Sequence, residues 1–154
     1  MAARLPCPHD AGALIAGPLP PGSFRLGQAF VGPARQAVRV GELLHGRPFG
    51  LVLVSPLSRA RETCELAGYL DQAEVTDDLV EWDYGAYEGR TTTEIRESTG
   101  DPDWSVWTTA EGLGESAADV ALRAERVLTR CRPLLHAGED VVLVAHAHLL
   151  RILI

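Results

Sequence analysis

The sequence predicts one α/β domain: a three-layer α/β/α arrangement around a mainly parallel sheet. Three observations predict it. Two continuous apolar runs, Leu51-Val52-Leu53-Val54 and Val141-Val142-Leu143-Val144, read as short strands buried on both faces. Helical spacing of apolar residues flanks both runs. The resulting helix–strand–helix alternation suits parallel strands joined by helical crossovers.

Taken in order, residues 1–32 are rich in Pro and Gly and carry no convincing periodic helix, only a weak strand over Ala13 to Ala16. The character changes at Pro33, a residue suited to a first helical turn. Ala37, Val38, Val40, Leu43 and Leu44 then recur at helical spacing, and Gly46 is a stop signal. After the strand at Leu51–Val54, a helix is expected over residues 58–70, then a short strand around Val75. Residues 77–89 read as loop. Thr91 or Thr92 can cap a short helix containing Glu94 to Glu97. Residues 100–114 are irregular, and Trp104 and Trp107 are expected to fold over neighbouring structure. Ser116 opens a long amphipathic helix with Val120, Leu122, Ala124, Val127, Leu128 and Cys131 as candidate buried positions. The second buried strand ends at Ala145-His146, and another helix begins near His148.

Composition narrows the functional classes. A chain of 154 residues is long enough for one domain with a sizeable core. The formal net charge of −7 argues against a nucleic-acid partner gripped by a basic face. All the cations are Arg, a bias of coding composition that says nothing about chemistry. Cys7, Cys64 and Cys131 form no close pair, which gives neither a disulfide framework nor zinc spacing. A reducing, cytoplasmic location is therefore expected. No apolar run reaches the eighteen or so residues needed to cross a membrane, and Asp10 and the prolines at 18, 20 and 21 break up any leader-like stretch.

Ligands of open α/β sheets bind beyond the carboxyl ends of the strands. The first apolar run leaves into Ser55-Pro56-Leu57-Ser58-Arg59, the second into Ala145-His146-Ala147-His148. Arg59 at a strand-to-helix junction can offer a planar fork of donors to a phosphate. His146 at a neighbouring strand end can add a donor or act as acid, base or nucleophile. Arg61 and His148 read as outer or structural. The segment Glu81-Trp82-Asp83-Tyr84-Gly85 taken alone is an acidic loop.

Four ordered motifs tie these pieces together. Ser55-Pro-Leu-Ser-Arg59-Ala-Arg-Glu-Thr63 resembles the SPLxRAxxT signature of the histidine phosphatase superfamily, the phosphoglycerate-mutase-like proteins. Leu79-Val-Glu81-Trp-Asp-Tyr-Gly85-Ala-Tyr-Glu88-Gly89 resembles its LxExx(Y/F)GxxEG element, and Gly114-Glu115-Ser116 its helix-opening GES. Val142-Leu-Val-Ala-His146-Ala-His148-Leu-Leu-Arg151 resembles VxHGHxxR, with Ala147 in the place of Gly. The wording around Glu81 and the Trp pair is similar to the acid phosphatase and sugar-bisphosphatase branches. The resemblance implies a phosphoglycerate-mutase-like α/β/α fold over residues 33–154, within a single domain of residues 1–154 whose first 32 are atypical.

It also implies a chemistry. A His nucleophile attacks phosphorus, a phosphohistidine forms, and water hydrolyses it. Arg and a second His hold the phosphoryl oxygens, and a carboxyl group protonates the leaving alcohol. Carried over, Arg59 matches a phosphate-binding Arg, His146 the second His, and Glu81 the proton donor. Ser116 fits a helix cap better than a catalytic role. No metal or other cofactor is implied, because Arg and His carry the compensating charge. The implied partner is a small phosphorylated metabolite, with neither nucleic acid nor membrane involved.

The pattern departs at both ends. The nucleophile of the family sits in an Arg-His-Gly triplet, and this sequence contains none. His9 falls nearest its expected position, flanked by Pro8 and Asp10. A shifted reading frame or start before about residue 32 would account for the sharp boundary. The family continues beyond the Leu149–Leu153 region with more helix and strand, so the fold is expected to be truncated, and uncovered apolar surface invites homo-oligomers. The sequence thus implies a phosphatase-type hydrolase of small phosphate monoesters, or an inactive form of one. A phosphoglycerate mutase and a non-catalytic phosphate binder remain as alternatives.

Overall fold

The two apolar runs lie side by side in a five-stranded sheet of order β2-β1-β5-β3-β4. The computed structural model describes residues 11–16, 29–30, 34–109 and 112–153. The strands are β1 (Ala11–Ala16), β2 (Ala29–Phe30), β3 (Leu51–Val54), β4 (Glu74–Val75) and β5 (Val141–His146). β3 runs parallel to both neighbours, with Leu51 opposite Val141 and Leu53 opposite Glu74. This parallel core follows the expectation, and β4 contains Val75 as predicted.

β1 runs antiparallel to β5, with Ala11 opposite His146 and Ala16 opposite Val141, and β2 is antiparallel to β1. The run Ala-Gly-Ala-Leu-Ile-Ala marks a strand but not its direction.

Alternation along the central strands builds two cores. Val141, Leu143 and Ala145 face one side with Leu53. There they meet Val120, Ala124, Val127 and Cys131 of α4 (Ala117–His136), Leu149 and Leu150 of α5 (Ala147–Ile152), and Ile95 of α3 (Thr92–Thr99). Val142 and Val144 face the other side with Val52 and Val54. They meet Leu44 of α1 (Arg35–Leu44) and Ala60 and Cys64 of α2 (Ser58–Leu66). Helices thus cover both faces, and the three-layer expectation holds.

Helix ends follow local chemistry. Thr91 caps α3 and Ser116 caps α4, each in a reciprocal capping box, with Glu94 and Asp119 respectively. α2 stops at Leu66 rather than running to residue 70. Gly68 takes a left-handed φ of 80°, Tyr69 N–H donates to Cys64 O at 3.0 Å, and Gly68 N–H donates to Glu65 O at 2.8 Å. That pair of bonds closes the helix in a Schellman motif. The expected loop over residues 77–89 contains two single 3₁₀ turns, Asp77–Leu79 and Gly85–Tyr87.

Three expected core positions are exposed: Val38 and Leu43 on α1 and Leu122 on α4. The apolar periodicity of each helix is broader than the stripe its neighbours cover. No helix among the described residues is long and apolar enough to cross a membrane.

Candidate active site

Parallel pairing of β3 and β5 places their carboxyl ends next to each other, and the polar residues leaving both strands converge. Ser55 extends the ladder through its N–H to Val144 O at 2.9 Å. Pro56 disfavours helical backbone at Ser55, so the chain turns only at Leu57 and α2 begins at Ser58. Arg59 therefore sits in the first turn of α2, at the site end of the sheet. His146 is the last residue of β5 and the N-cap of α5.

His146 and Arg59 touch. Arg59 Nε donates to His146 Nδ1 at 3.1 Å, and His146 Nε2 lies 2.9 Å from Ser55 Oγ. His146 and Ser55 are both fully buried. Burial pushes the His146 imidazolium down to a pKa of about 3, and the Arg59 charge adds to the effect. The ring is therefore neutral at pH 7 and serves Arg59 as an acceptor. Arg59 itself is exposed. Its terminal nitrogens have no acceptor among the described residues, so the fork is open to an anion.

Glu81 is brought to the same end of the sheet by the loop before Trp82. It is 7% exposed, and its carboxylate meets the start of α5. Oε1 accepts from the N–H groups of Leu149 at 3.1 Å and Trp82 at 3.0 Å, and Oε2 accepts from His148 N–H at 3.3 Å. Glu81 thus supplies from another segment the capping acceptor that His146 does not. Each of the three predicted site residues meets this strand-end junction: Arg59 and His146 in direct contact, and Glu81 across the first amides of α5.

His148, expected to be outer or structural, has Nδ1 2.6 Å from Tyr84 OH, with Tyr84 and Trp107 rings edge-on or tilted against it. Trp107 also packs edge-on against Trp82, the residue after Glu81, and Trp104 against Tyr87. The Trp pair does fold over the acid loop. Arg61 is exposed, and Ser116 acts as the cap described above. Cys64 lies on the buried face of α2 with its thiol pushed up to about 11 by burial, which makes it a poor nucleophile at neutral pH. His9 lies outside the described residues.

Sequence reasoning missed two contributors. Ser55 was legible only as a motif letter, although a hydroxyl at a strand end beside a candidate His is a signal. Arg123 of α4 donates to both oxygens of Glu115, at 2.8 and 2.7 Å, and to the carbonyls of Asp78 and Val80, at 3.1 and 2.8 Å. Glu115 also accepts from Asp83 N–H and, through its carbonyl, from Trp82 Nε1. This clamp fixes both sides of Glu81, and nothing local in the sequence announces it.

Comparisons with known proteins show the family of the chain. The family model for the histidine phosphatase superfamily (branch 1) matches residues 34–154. The chain is 44% identical over 115 residues to an acid phosphatase of Mycobacterium tuberculosis, covering 75% of this chain and 54% of that protein. It is 35% identical over 120 residues to sedoheptulose 1,7-bisphosphatase of Saccharomyces cerevisiae, covering 65% of this chain and 44% of that protein. The chain thus spans about half the length of these curated relatives. A solved structure of an open-reading-frame product from Mycobacterium tuberculosis superposes with a TM-score of 0.70 at 34% identity, covering 94% of this chain and 78% of that one.

Proposed function

This chain belongs to the histidine phosphatase superfamily, and from that premise we propose that it is a phosphatase-type hydrolase of small phosphate monoesters. The observation that carries the reading is the open Arg59 fork, held by buried, neutral His146 at the carboxyl ends of two adjacent parallel strands. A planar guanidinium beside a helix start suits a phosphoryl group, which it can bind through paired hydrogen bonds. Relatives named as an acid phosphatase and a sugar bisphosphatase support the same class.

In the proposed reaction, a His nitrogen attacks phosphorus, a P–N bond forms as the ester P–O bond breaks, and Arg59 stabilises charge on the equatorial oxygens. Glu81, which the resemblance matches to the proton donor, would in its protonated form supply the proton that the departing alcohol takes. Water then breaks the P–N bond, releasing phosphate. The open Arg59 fork supports a small phosphorylated metabolite as partner, and the free, buried thiols of Cys64 and Cys131 support a cytoplasmic setting.

A second reading, a phosphate-ligand binder without turnover, is favoured by two observations. The sequence has no Arg-His-Gly triplet, and His146 already uses both ring nitrogens. One experiment separates the two. Incubation with a generic aryl phosphate releases phosphate under the first reading. Under the second, inorganic phosphate raises the melting temperature with no release. Absence of both effects at millimolar ligand defeats the phosphate-site assignment altogether.

A further inference from the structure

We propose that Ser55 is a positioning residue for the phosphate site: its buried hydroxyl accepts the Nε2–H of His146 and so supports the tautomer whose Nδ1 holds the Arg59 guanidinium. The role rests on the reading of Arg59 as the phosphate fork, and adds the residue that holds the fork in place.

Donor and acceptor counting at His146 leaves one solution. Arg59 Nε–H can only donate, so His146 Nδ1, 3.1 Å away, presents a lone pair. A neutral imidazole with a bare Nδ1 carries its proton on Nε2. The Nε2–H therefore donates to Ser55 Oγ at 2.9 Å. The same hydroxyl oxygen accepts from Leu57 N–H at 3.3 Å, so both of its lone pairs are used. No solvent reaches the pair, because Ser55 and His146 are both 0% exposed.

Ser55 holds this place for a structural reason. Its N–H pairs with Val144 O across the β3–β5 ladder, and Pro56 favours extended backbone at the residue before it. The hydroxyl is thus fixed relative to the strand that carries His146. Without it, the buried Nε2–H has no acceptor, and the other tautomer, with its proton on Nδ1, competes. Two donors would then face each other at Arg59 Nε and His146 Nδ1. The guanidinium would leave the ring, and the fork would lose the orientation that phosphate meets.

The test combines NMR of the labelled imidazole nitrogens with titration of inorganic phosphate, on wild type, Ser55→Ala and Ser55→Thr. Wild type is expected to show the His146 proton on Nε2 alone. Ser55→Ala is expected to show a tautomer mixture and a phosphate affinity roughly five- to ten-fold weaker, the scale of one net hydrogen bond. Ser55→Thr, which keeps the hydroxyl, is expected to restore both. Ser55→Ala with an unchanged tautomer, or with a changed tautomer and full phosphate affinity, overturns the role of Ser55 and leaves the phosphate reading standing. Wild type that binds no phosphate overturns the phosphate reading, and the aiming role falls with it.

Discussion

Arg123 grips Glu115 through two near-parallel bonds, Nε to Oε1 at 2.8 Å and Nη2 to Oε2 at 2.7 Å. Its third nitrogen takes the carbonyls of Asp78 and Val80. The side chains are only 13% and 25% exposed, so water replaces these bonds poorly. Arg123→Met is expected to lower stability by about 2–3 kcal/mol, because it strands a half-buried carboxylate and two carbonyls. A urea denaturation midpoint equal to wild type would show that the clamp is energetically neutral.

Arg59→Ala is expected to weaken phosphate binding by about 1.5–3 kcal/mol, the range for hydrogen bonds to a charged group. Calorimetric titration reads it directly. An affinity that survives the substitution would place the anion elsewhere on the protein.

Glu81→Ala removes the acceptor of three backbone amides at once. A loss of about 2 kcal/mol is expected, comparable to a strong helix cap. Amide hydrogen exchange should accelerate at His148 and Leu149 more than at Leu143 in the centre of β5. Uniform acceleration along β5 would mean that Glu81 supports the whole domain rather than the start of α5.

The pH dependence of stability should carry the signature of His146. Its folded pKa is depressed to about 3 from an ordinary 6.5, so between these values the unfolded chain binds the extra proton. The stabilisation is fully present above pH 6.5 and is lost as pH falls toward 3. The slope attributable to this ring approaches about 1.4 kcal/mol per pH unit inside that window. Urea midpoints of wild type and His146→Gln should therefore converge as pH falls from 6.5. Parallel curves would show a ring that titrates normally.

Gly85 has a φ of +54°, and a Cβ there would stand 2.6 Å from Gly112 O and from Gly114 N. Gly85→Ala combines left-handed strain with a backbone clash between the acid loop and the segment before α4. A loss of about 2 kcal/mol or more is expected in thermal melts. A variant as stable as wild type would mean that the two segments separate without cost.

Much of this molecule was legible because its signals are local. Leu51–Val54 and the run from Val141 announce buried strands by unbroken apolarity, and Thr91 and Ser116 announce helix starts by reciprocal caps. Arg59, Glu81 and His146 were legible through ordered motifs, and the two strand ends placed Arg59 and His146 together. What escaped depends on partners far along the chain. Arg123 meets carbonyls 45 and 43 residues earlier. Ser55 acquires a role only from a ring 91 residues away. Leu43 and Leu122 look like core by spacing and are 75% and 63% exposed, because no neighbour among the described residues covers that edge of their helices. The antiparallel sense of β1 had no sequence marker at all.

The position of β5 also bears on how the chain is made. This strand lies between β1 and β3, pairing Ala11 with His146 and Leu51 with Val141. Ribosomal synthesis delivers both neighbours long before the strand that joins them. Until residue 146 emerges, the nascent sheet has a gap at its centre, and α1, α2 and α4 have only part of the surface they will cover. Such a chain closes late and through distant contacts, which slows folding and lengthens the exposure of apolar faces. The residue that ends β5 is His146, so the same event that joins β1 to β3 also delivers the acceptor for Arg59.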